Sequence, residues 1–135
     1  MGPRIHHFGL AVPDLAAGFA DSIHDPFGEP VHDPIQRCHL QLASAGGIAG
    51  PPWVELIQPD GPASPVWRSV QTHGVHWHHL CLEFAERAGA ETFARERRLL
   101  RVTPWQPAVL FAGRPVAFFY TRQRELLEIL ADAPR

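Results

Sequence analysis

The chain carries the same pair of chemically active residue types twice. His7 precedes Glu55 by almost the same stretch of sequence as His79 precedes Glu128. The shift that superimposes the first histidine on the second also superimposes the two glutamates, to within a single position. Imidazole and carboxylate are ligands that proteins offer to divalent nickel, cobalt, zinc, manganese or iron. A duplicated unit that repeats both ligand types predicts one divalent-metal site built from both copies.

All four residues lie in short apolar runs that have the pattern of a β-strand. Residues 5–14 and 77–86 both place a His-His doublet near their start, and residues 54–57 and 127–130 both hold a glutamate among aliphatic residues. Neighbouring side chains of a strand point to opposite faces. We therefore expect the His and Glu side chains to line a cavity on one face. Helices should cover the aliphatic neighbours on the other face.

The first copy of the repeat is predicted to be a strand, a helix and then two or three strands. Alternating apolar residues predict strands at about 4–12, 36–44 and 53–58. Asp14 has the position of a helix N-cap for residues 15–23, and the turn-rich residues 25–28 end that helix.

The second copy follows the same plan after a linker with a short helix. That helix is predicted over 65–72 with Ser64 as its N-cap. The elements that follow are a strand at 76–84, a helix at about 87–100 and strands near 101–105, 115–121 and 125–131. We predict a single α+β domain over residues 1–135, with modules at about 4–60 and 75–131 joined by a linker at about 61–74.

Each candidate ligand has a simpler interpretation when it is taken alone. A single strand histidine is usually a hydrogen-bonded core or surface residue, and a single strand glutamate usually points to solvent. The repeat favours the metal site, because both residue types recur at the same register in both copies. The adjacent His6 and His78 should point to the opposite face, where they have a structural role or support the ligands and do not bind the metal themselves. Glu83, near the end of its strand, is expected to be solvated.

Four further residues are candidates for a substrate pocket. Trp53 shares the face of Glu55, and Cys81 shares the face of His79, because each is two positions away along its strand. Gln36 and Gln41 straddle the neighbouring strand, whose register the sequence does not fix.

The composition excludes several classes of function. The net charge is −2 and no basic cluster adjoins aromatic residues, so nucleic-acid binding is not expected. All 12 basic residues are arginine, which excludes Schiff-base chemistry by a lysine. The N-terminus has no signal-peptide pattern and no apolar run is long enough to span a membrane, so we expect a cytoplasmic protein with no membrane partner. The expected partner is a small-molecule substrate. The two cysteines, Cys38 and Cys81, are expected to be buried thiols.

The runs around the candidate ligands also resemble those of a known family. They read Ile5-His6-His7-Phe8-Gly9-Leu10-Ala11-Val12, Val54-Glu55-Leu56-Ile57-Gln58-Pro59, His78-His79-Leu80-Cys81-Leu82-Glu83-Phe84 and Leu126-Leu127-Glu128-Ile129. In these runs the chain resembles the vicinal oxygen chelate superfamily, which includes glyoxalase I, methylmalonyl-CoA epimerase, extradiol dioxygenases and bleomycin-resistance proteins. The likeness covers residues 5–130 and is closest to the epimerase and glyoxalase-like branch.

This resemblance implies a fold, a ligand set and an oligomeric state. The implied fold has two βαβββ modules, from an internal duplication, which form a U-shaped, mostly antiparallel sheet around a metal-lined cavity. The implied ligands are His7, Glu55, His79 and Glu128, with Glu128 as the catalytic base. Relatives on this fold often pair, so we expect a homodimer, with each cavity closed either within one chain or by exchange of modules.

Two departures from the epimerase pattern bear on the substrate. The epimerases begin their third strand with Glu-Gln-Gly, whose Glu is one of two acid/base groups, whereas this chain has Ile35-Gln36-Arg37. They also carry a His-Pro-Lys-Ser turn before the last strand, where this chain has the shorter Tyr120-Thr121-Arg122-Gln123. The scaffold and the metal ligands are therefore expected to carry over, and methylmalonyl-CoA as substrate is not.

These observations predict a metal-dependent isomerase, epimerase or lyase. It would act on a small carbonyl substrate through a metal-stabilised enolate, with Glu128 or Glu55 as the proton shuttle. One alternative is an Fe(II)-dependent oxygenase that uses His7, His79 and Glu128 as a 2-His-1-carboxylate site, although Glu55 would then fill a position that oxygen needs. A second alternative is a non-catalytic protein of the same fold that binds a small molecule such as a drug.

Overall fold

In the computed structural model, the described residues are 2–16, 23–48 and 50–133. They form two compact units, an N-terminal unit of residues 7–78 and a C-terminal unit of residues 79–135 together with residues 1–6. Both units combine helix or turn segments with a mixed β-sheet, which confirms the α+β class. Within the described part of the chain, no helix has both the length and the apolar character needed to cross a membrane.

The sheet of the N-terminal unit has the strand order β2-β3-β4-β1. Its strands are β1 (Arg4–Ala11), β2 (His24–Asp33), β3 (Cys38–Ala45) and β4 (Trp53–Pro59), and the helix α1 (Trp67–His73) follows them. Strands β2, β3 and β4 pair antiparallel, whereas β1 pairs parallel with β4. One face of this sheet carries a buried apolar cluster formed by Leu10, Val12, Ala43, Val54 and Leu56.

The sheet of the C-terminal unit has the order β5-β9-β8-β6, with β7 also paired to β8. Its elements are β5 (His76–Glu83), α2 (Arg87–Glu96), β6 (Leu100–Arg101), β7 (Gln106–Ala108), β8 (Arg114–Tyr120) and β9 (Leu126–Leu130). Again the pair that carries the candidate ligands, β5 and β9, is parallel, whereas β8 pairs antiparallel with its neighbours.

Helix α2 covers the aliphatic face of this second sheet, as the alternation predicts. Its buried residues Ala90 and Ala94 are four positions apart and therefore lie on one side of the helix. They pack with Ala117, Phe119 and Ile129 in one apolar cluster. Small helix residues let the helix approach the sheet closely, and the larger Phe93 side chain of the same helix packs against this cluster.

Four predicted boundaries differ from the structure. The strand predicted near 101–105 is replaced by the short strands β6 and β7, which end at Arg101 and begin at Gln106. Residues 24–33 form strand β2 rather than a turn, with an irregular register between Phe27 and Val31. Helix α1 begins at Trp67, two residues later than predicted, and the Ser64 hydroxyl accepts the Val66 amide in the turn that precedes it. Helix α2 ends at Glu96 rather than near 100, because Arg98 adopts a left-handed conformation with φ 54°. The helix predicted over 15–23 falls mainly on residues 17–22, outside the described residues.

Glu83 is buried, so the prediction that it is solvated was wrong. Its carboxylate accepts a hydrogen bond from Arg4 Nε at 2.6 Å and pairs with Arg114 Nη1 at 2.7 Å, and only 3% of its side chain is exposed. Burial alone would raise the pKa of Glu83, but the hydrogen bonds from the two arginines outweigh it and hold this pKa below its ordinary value of 4.5. The carboxylate therefore ties the N-terminal end of β1 to β5 and β8.

We predict that Glu83→Gln lowers the free energy of unfolding at neutral pH by about 1.5–3 kcal/mol, because it removes charged hydrogen bonds from a buried site. A carboxyl group whose pKa is lowered by folding stabilises the fold fully above its unfolded pKa and loses that effect as the pH falls through the folded value. The deficit should therefore be largest near pH 7 and shrink below about pH 4, as measured by urea unfolding across that range.

Glu91→Gln is the matched control. Glu91 pairs with Arg87 at 3.3 Å in a half-exposed position, so its loss should cost less than about 0.5 kcal/mol. A Glu83→Gln protein as stable as the parent at pH 7 would show that the two arginines do not stabilise this carboxylate.

Candidate metal centre

The N-terminal unit holds one buried His/Glu pair on neighbouring parallel strands. Glu55 on β4 lies opposite Gly9 on β1, and His7 stands two residues before that glycine. His7 is fully buried and Glu55 is 4% exposed. The His7 Nε2 and Glu55 Oε1 atoms are 3.7 Å apart. The strand pairing therefore brings together two side chains that are far apart in sequence.

The C-terminal unit holds the second pair in the same local arrangement. Glu128 on β9 lies opposite Cys81 on β5, and His79 stands two residues before that cysteine. His79 Nε2 lies 3.8 Å from Glu128 Oε1, and both side chains are buried. Phe118 lies opposite Glu128 on β8 and makes an edge-on ring contact with His79. The repeat in the sequence thus corresponds to a repeated geometry.

In both units a small residue faces the carboxylate across the parallel strands. Gly9 occupies this position in the N-terminal unit and Cys81 occupies it in the C-terminal unit. Directly paired residues on parallel strands point to the same face, so a large side chain at either position would crowd the glutamate. The small size of Gly9 and Cys81 therefore leaves space around each buried glutamate on its face of the sheet.

The distances within each pair suit a shared divalent ion. Nitrogen and oxygen ligands lie about 2.0–2.2 Å from zinc and similar metals, so two ligand atoms on one ion are at most about 4.4 Å apart. The His–Glu separations of 3.7 and 3.8 Å fall within that limit. They are longer than a typical N–H···O hydrogen bond. Each unit thus presents a buried His/Glu pair able to contribute two ligands to a metal.

The four residues predicted for the substrate pocket lie in different surroundings. Trp53 lies on the face of Glu55, where its ring meets Phe27 edge-on at 5.3 Å, and Cys81 lies beside Glu128 as described. Gln36 is half-buried in the turn between β2 and β3.

Gln41 has a placement that gives no support to its predicted pocket role. It pairs with Leu56, so its side chain lies on the face opposite to that of Glu55. There its amide donates a hydrogen bond to the Gly28 carbonyl at 2.8 Å.

Two aromatic residues were not singled out in the sequence: Phe118, which contacts His79, and Phe27, which contacts Trp53. Phe27 lies in β2, a strand that was not predicted because turn residues surround it, and Phe118 lies in the predicted strand β8 but was given no role. Alternation along β8 was the available signal for Phe118, because it shares the parity of Val116 and not that of the helix-covered Ala117.

Cys38 is a buried thiol, as expected. Burial raises its pKa to about 11, although a hydrogen bond with Ser64 opposes the shift. The thiol therefore stays protonated at neutral pH and is a poor nucleophile and metal ligand.

A family model identifies the superfamily of the chain. The family model described as the glyoxalase/bleomycin resistance protein/dioxygenase superfamily matches residues 6–118. A comparison with curated protein sequences found no significant match.

Solved structures share the fold at low sequence identity. Methylmalonyl-CoA epimerase from Mycobacterium tuberculosis is 18% identical with a TM-score of 0.78, covering 96% of this chain and 88% of that one. A hypothetical protein from Bacillus halodurans is 18% identical with a TM-score of 0.81, covering 100% and 98%. A variant of Streptomyces coelicolor methylmalonyl-CoA epimerase, solved with 2-nitronate-propionyl-CoA, is 20% identical with a TM-score of 0.75, covering 97% and 98%.

The matched residues of the family model include His7, Glu55 and His79 and span most of the chain, and the solved structures share its fold over nearly its whole length. The chain therefore belongs to the glyoxalase/bleomycin resistance protein/dioxygenase superfamily.

Proposed function

We propose that this protein is a divalent-metal-dependent enzyme of the isomerase, epimerase or lyase type that acts on a small carbonyl substrate. The observation that carries the proposal is the buried His/Glu pair, which occurs in both units with the same strand register. Superfamily membership and the epimerases among the structural neighbours support this type of function. The proposed metal ligands are His7, Glu55, His79 and Glu128.

The number of ligands argues that the two pairs act together. One pair supplies two protein ligands, whereas zinc-type sites in proteins use three or four. A single metal bound by both pairs satisfies this requirement, and two separate metals do not. The second pair can come from the same chain or, by exchange of modules, from a partner chain in a homodimer, and both cases give one metal per chain.

The ligand atoms favour a particular group of metals. Two imidazoles and two carboxylates suit nickel, cobalt, zinc, manganese or iron, and the absence of a thiolate from the set makes copper(I) an unsuitable occupant. Carboxylates that would otherwise be buried at considerable cost gain a counter-charge from the ion.

The proposed reaction is a proton transfer at the carbon beside a carbonyl group. When bound, the divalent metal supplies Lewis-acid polarisation of the substrate carbonyl, which makes that proton more acidic. Glu128 is our candidate for the base. Its surroundings are His79, Phe118 and Cys81, which exclude bulk water from the carboxylate. Glu55 would hold the metal from the other pair and is the second candidate for proton transfer.

The neighbours and the sequence departures together limit the substrate. One structural neighbour is a methylmalonyl-CoA epimerase solved with methylmalonyl-CoA, so a thioester is one member of the candidate substrate class. At the position where the epimerases are expected to carry a second acid/base Glu, this chain has Ile35, whose side chain cannot accept or donate a proton. We therefore favour a single-base proton shuttle or an elimination over epimerisation with two opposed bases.

The first test is metal binding. Purified protein should bind about one divalent ion per chain. The variants His7→Ala and His79→Ala should each weaken binding by more than about 100-fold, since even the loss of a group that only orients a ligand costs about 10- to 100-fold. Elemental analysis after loading and isothermal titration calorimetry would measure both.

The adjacent histidines give the matched controls. His6 contacts the Phe111 ring edge-on, and neither His6 nor His78 belongs to the buried His/Glu pairs. His6→Ala and His78→Ala should keep most of the metal affinity. Binding lost in these controls and retained in His7→Ala and His79→Ala, or no binding of any of the five metals, would refute the proposed ligand set.

The second test concerns the proton. Thioesters and α-hydroxy carbonyl compounds, incubated with metal-loaded protein in heavy water, should include a compound that gains deuterium beside its carbonyl without oxygen uptake. Glu128→Gln keeps the shape and one coordinating oxygen but lacks the base. It should lower the exchange rate on that compound by about 10²–10⁴-fold at saturating metal.

Other results would favour a different function. Oxygen uptake in proportion to product with Fe(II) would indicate an oxygenase, and tight binding of a compound that is never converted would indicate a binding protein. Full exchange activity in metal-saturated Glu128→Gln would exclude Glu128 as the base.

A further inference from the structure

A cleft of about 640 Å³ lies in the C-terminal unit, where the end of helix α2 meets strand β6 and the turn between β8 and β9. This volume is typical of small-molecule sites, which are about 300–1,000 Å³. We call it the arginine cleft. It is lined by Arg98, Leu100, Tyr120, Thr121, Arg122 and Arg124.

The charge of the arginine cleft is unbalanced. Three of its six lining residues are arginines, two carry hydroxyl groups, and none is acidic. Within the part of the chain that the structure describes, none of these arginines forms an ion pair or a side-chain hydrogen bond. The Arg95 side chain nearby, in contrast, donates to Thr92. Three uncompensated guanidinium groups around one cavity attract an anion on a protein whose net charge is −2.

Two of the three arginines stand where the backbone favours glycine. Arg98 has φ 54° and Arg124 has φ 66°. At the end of α2 the Leu99 amide donates to the Ala94 carbonyl, which is the pattern of a helix C-cap whose left-handed residue is usually glycine. An arginine at such a position accepts backbone strain, which is consistent with a use for its side chain.

The turn that carries Arg122 and Arg124 is held by hydrogen bonds to Thr121. The Thr121 amide donates to the Glu125 carbonyl, and the Thr121 carbonyl accepts the amide of Arg124. The Thr121 hydroxyl oxygen accepts the Glu125 amide at 3.0 Å, so its own hydrogen remains available to donate. The cleft thus offers hydroxyl and guanidinium donors from a hydrogen-bonded turn.

We propose that the arginine cleft binds a phosphate or diphosphate group. Arginine forks form paired hydrogen bonds with phosphate oxygens, and threonine and tyrosine hydroxyls add single donors. A diphosphate matches three guanidinium groups better than a single carboxylate does, because it presents more negative charge and more acceptor oxygens.

The position of the cleft suggests which molecule carries that phosphate. Tyr120 lines the cleft, and Phe118, two residues earlier on the same face of β8, lies directly opposite Glu128. Two residues of a strand span about 7 Å. A substrate whose phosphate group binds in the cleft would extend along this face toward Glu128. This assignment of the phosphate to the substrate rests on the proposed function, whereas phosphate binding by the cleft does not depend on it.

The experiment measures binding of inorganic pyrophosphate, phosphate and acetate to metal-free protein at low ionic strength, where exposed charges are least screened. Calorimetry should show pyrophosphate binding more tightly than phosphate and much more tightly than acetate. Arg98→Gly and Arg124→Gly should each weaken pyrophosphate binding about tenfold or more. Neither change should lower thermal stability, because glycine relieves the left-handed backbone.

Arg37→Gly is the matched control, because Arg37 also has a left-handed backbone, at φ 56°, and does not line the cleft. It removes the same charge and should leave pyrophosphate binding unchanged. Equal losses in all three variants would reveal a general charge effect and overturn the proposal, as would acetate binding as tight as pyrophosphate or no binding of pyrophosphate by the parent protein.

Phosphate binding by the arginine cleft can be tested independently of the proposed enzyme function. Because the binding measurement needs neither metal nor turnover, failure of the metal-binding or exchange tests leaves its outcome unaffected. Pyrophosphate should then compete with a substrate that the enzyme converts, and Arg98→Gly should raise KM for that substrate with little change in kcat. Both results together would show that the cleft binds the phosphate group of the substrate.

Discussion

The constraint on which the rest of the structure depends is the burial of a carboxylate beside an imidazole on each of two parallel strand pairs. Water cannot solvate Glu55 or Glu128, which are 4% and 3% exposed. A buried carboxylate is costly unless a positive partner offsets it. A small residue opposite each glutamate leaves space for the buried carboxylate. An apolar cluster in each unit packs on the sheet that carries it.

Glu83 shows how the same chain treats a buried carboxylate with a structural role. It is as buried as Glu128, but two arginines approach it directly and lower its pKa. Glu55 and Glu128 have a histidine Nε2 atom at 3.7 and 3.8 Å. A direct arginine pair fixes a charge permanently, whereas a His/Glu pair leaves room for an ion that both residues can bind. That difference separates the ligand candidates from an ordinary buried ion pair.

The sequence could predict the strands that carry the ligands because their aliphatic neighbours alternate with them. Strand β2 could not be predicted, since Pro26 and Gly28 interrupt the pattern, and only pairing with β3 makes it a strand. The face of Gln41 depended on its register against Leu56, which is a tertiary property. The burial of Glu83 depended on Arg4 and Arg114, which are both distant from it in sequence and meet it only in the folded chain.

Membership of this superfamily does not by itself choose among isomerase, oxygenase and binding protein, because the family description spans all three kinds. The choice depends on which side chains reach the metal. X-ray absorption at the metal edge of cobalt- or nickel-loaded protein measures this most directly. Our account predicts nitrogen and oxygen scatterers only, at about 2.0–2.2 Å, with the multiple-scattering signature of two imidazoles that falls to one in His7→Ala. A sulfur scatterer, or an unchanged imidazole count in that variant, would contradict it.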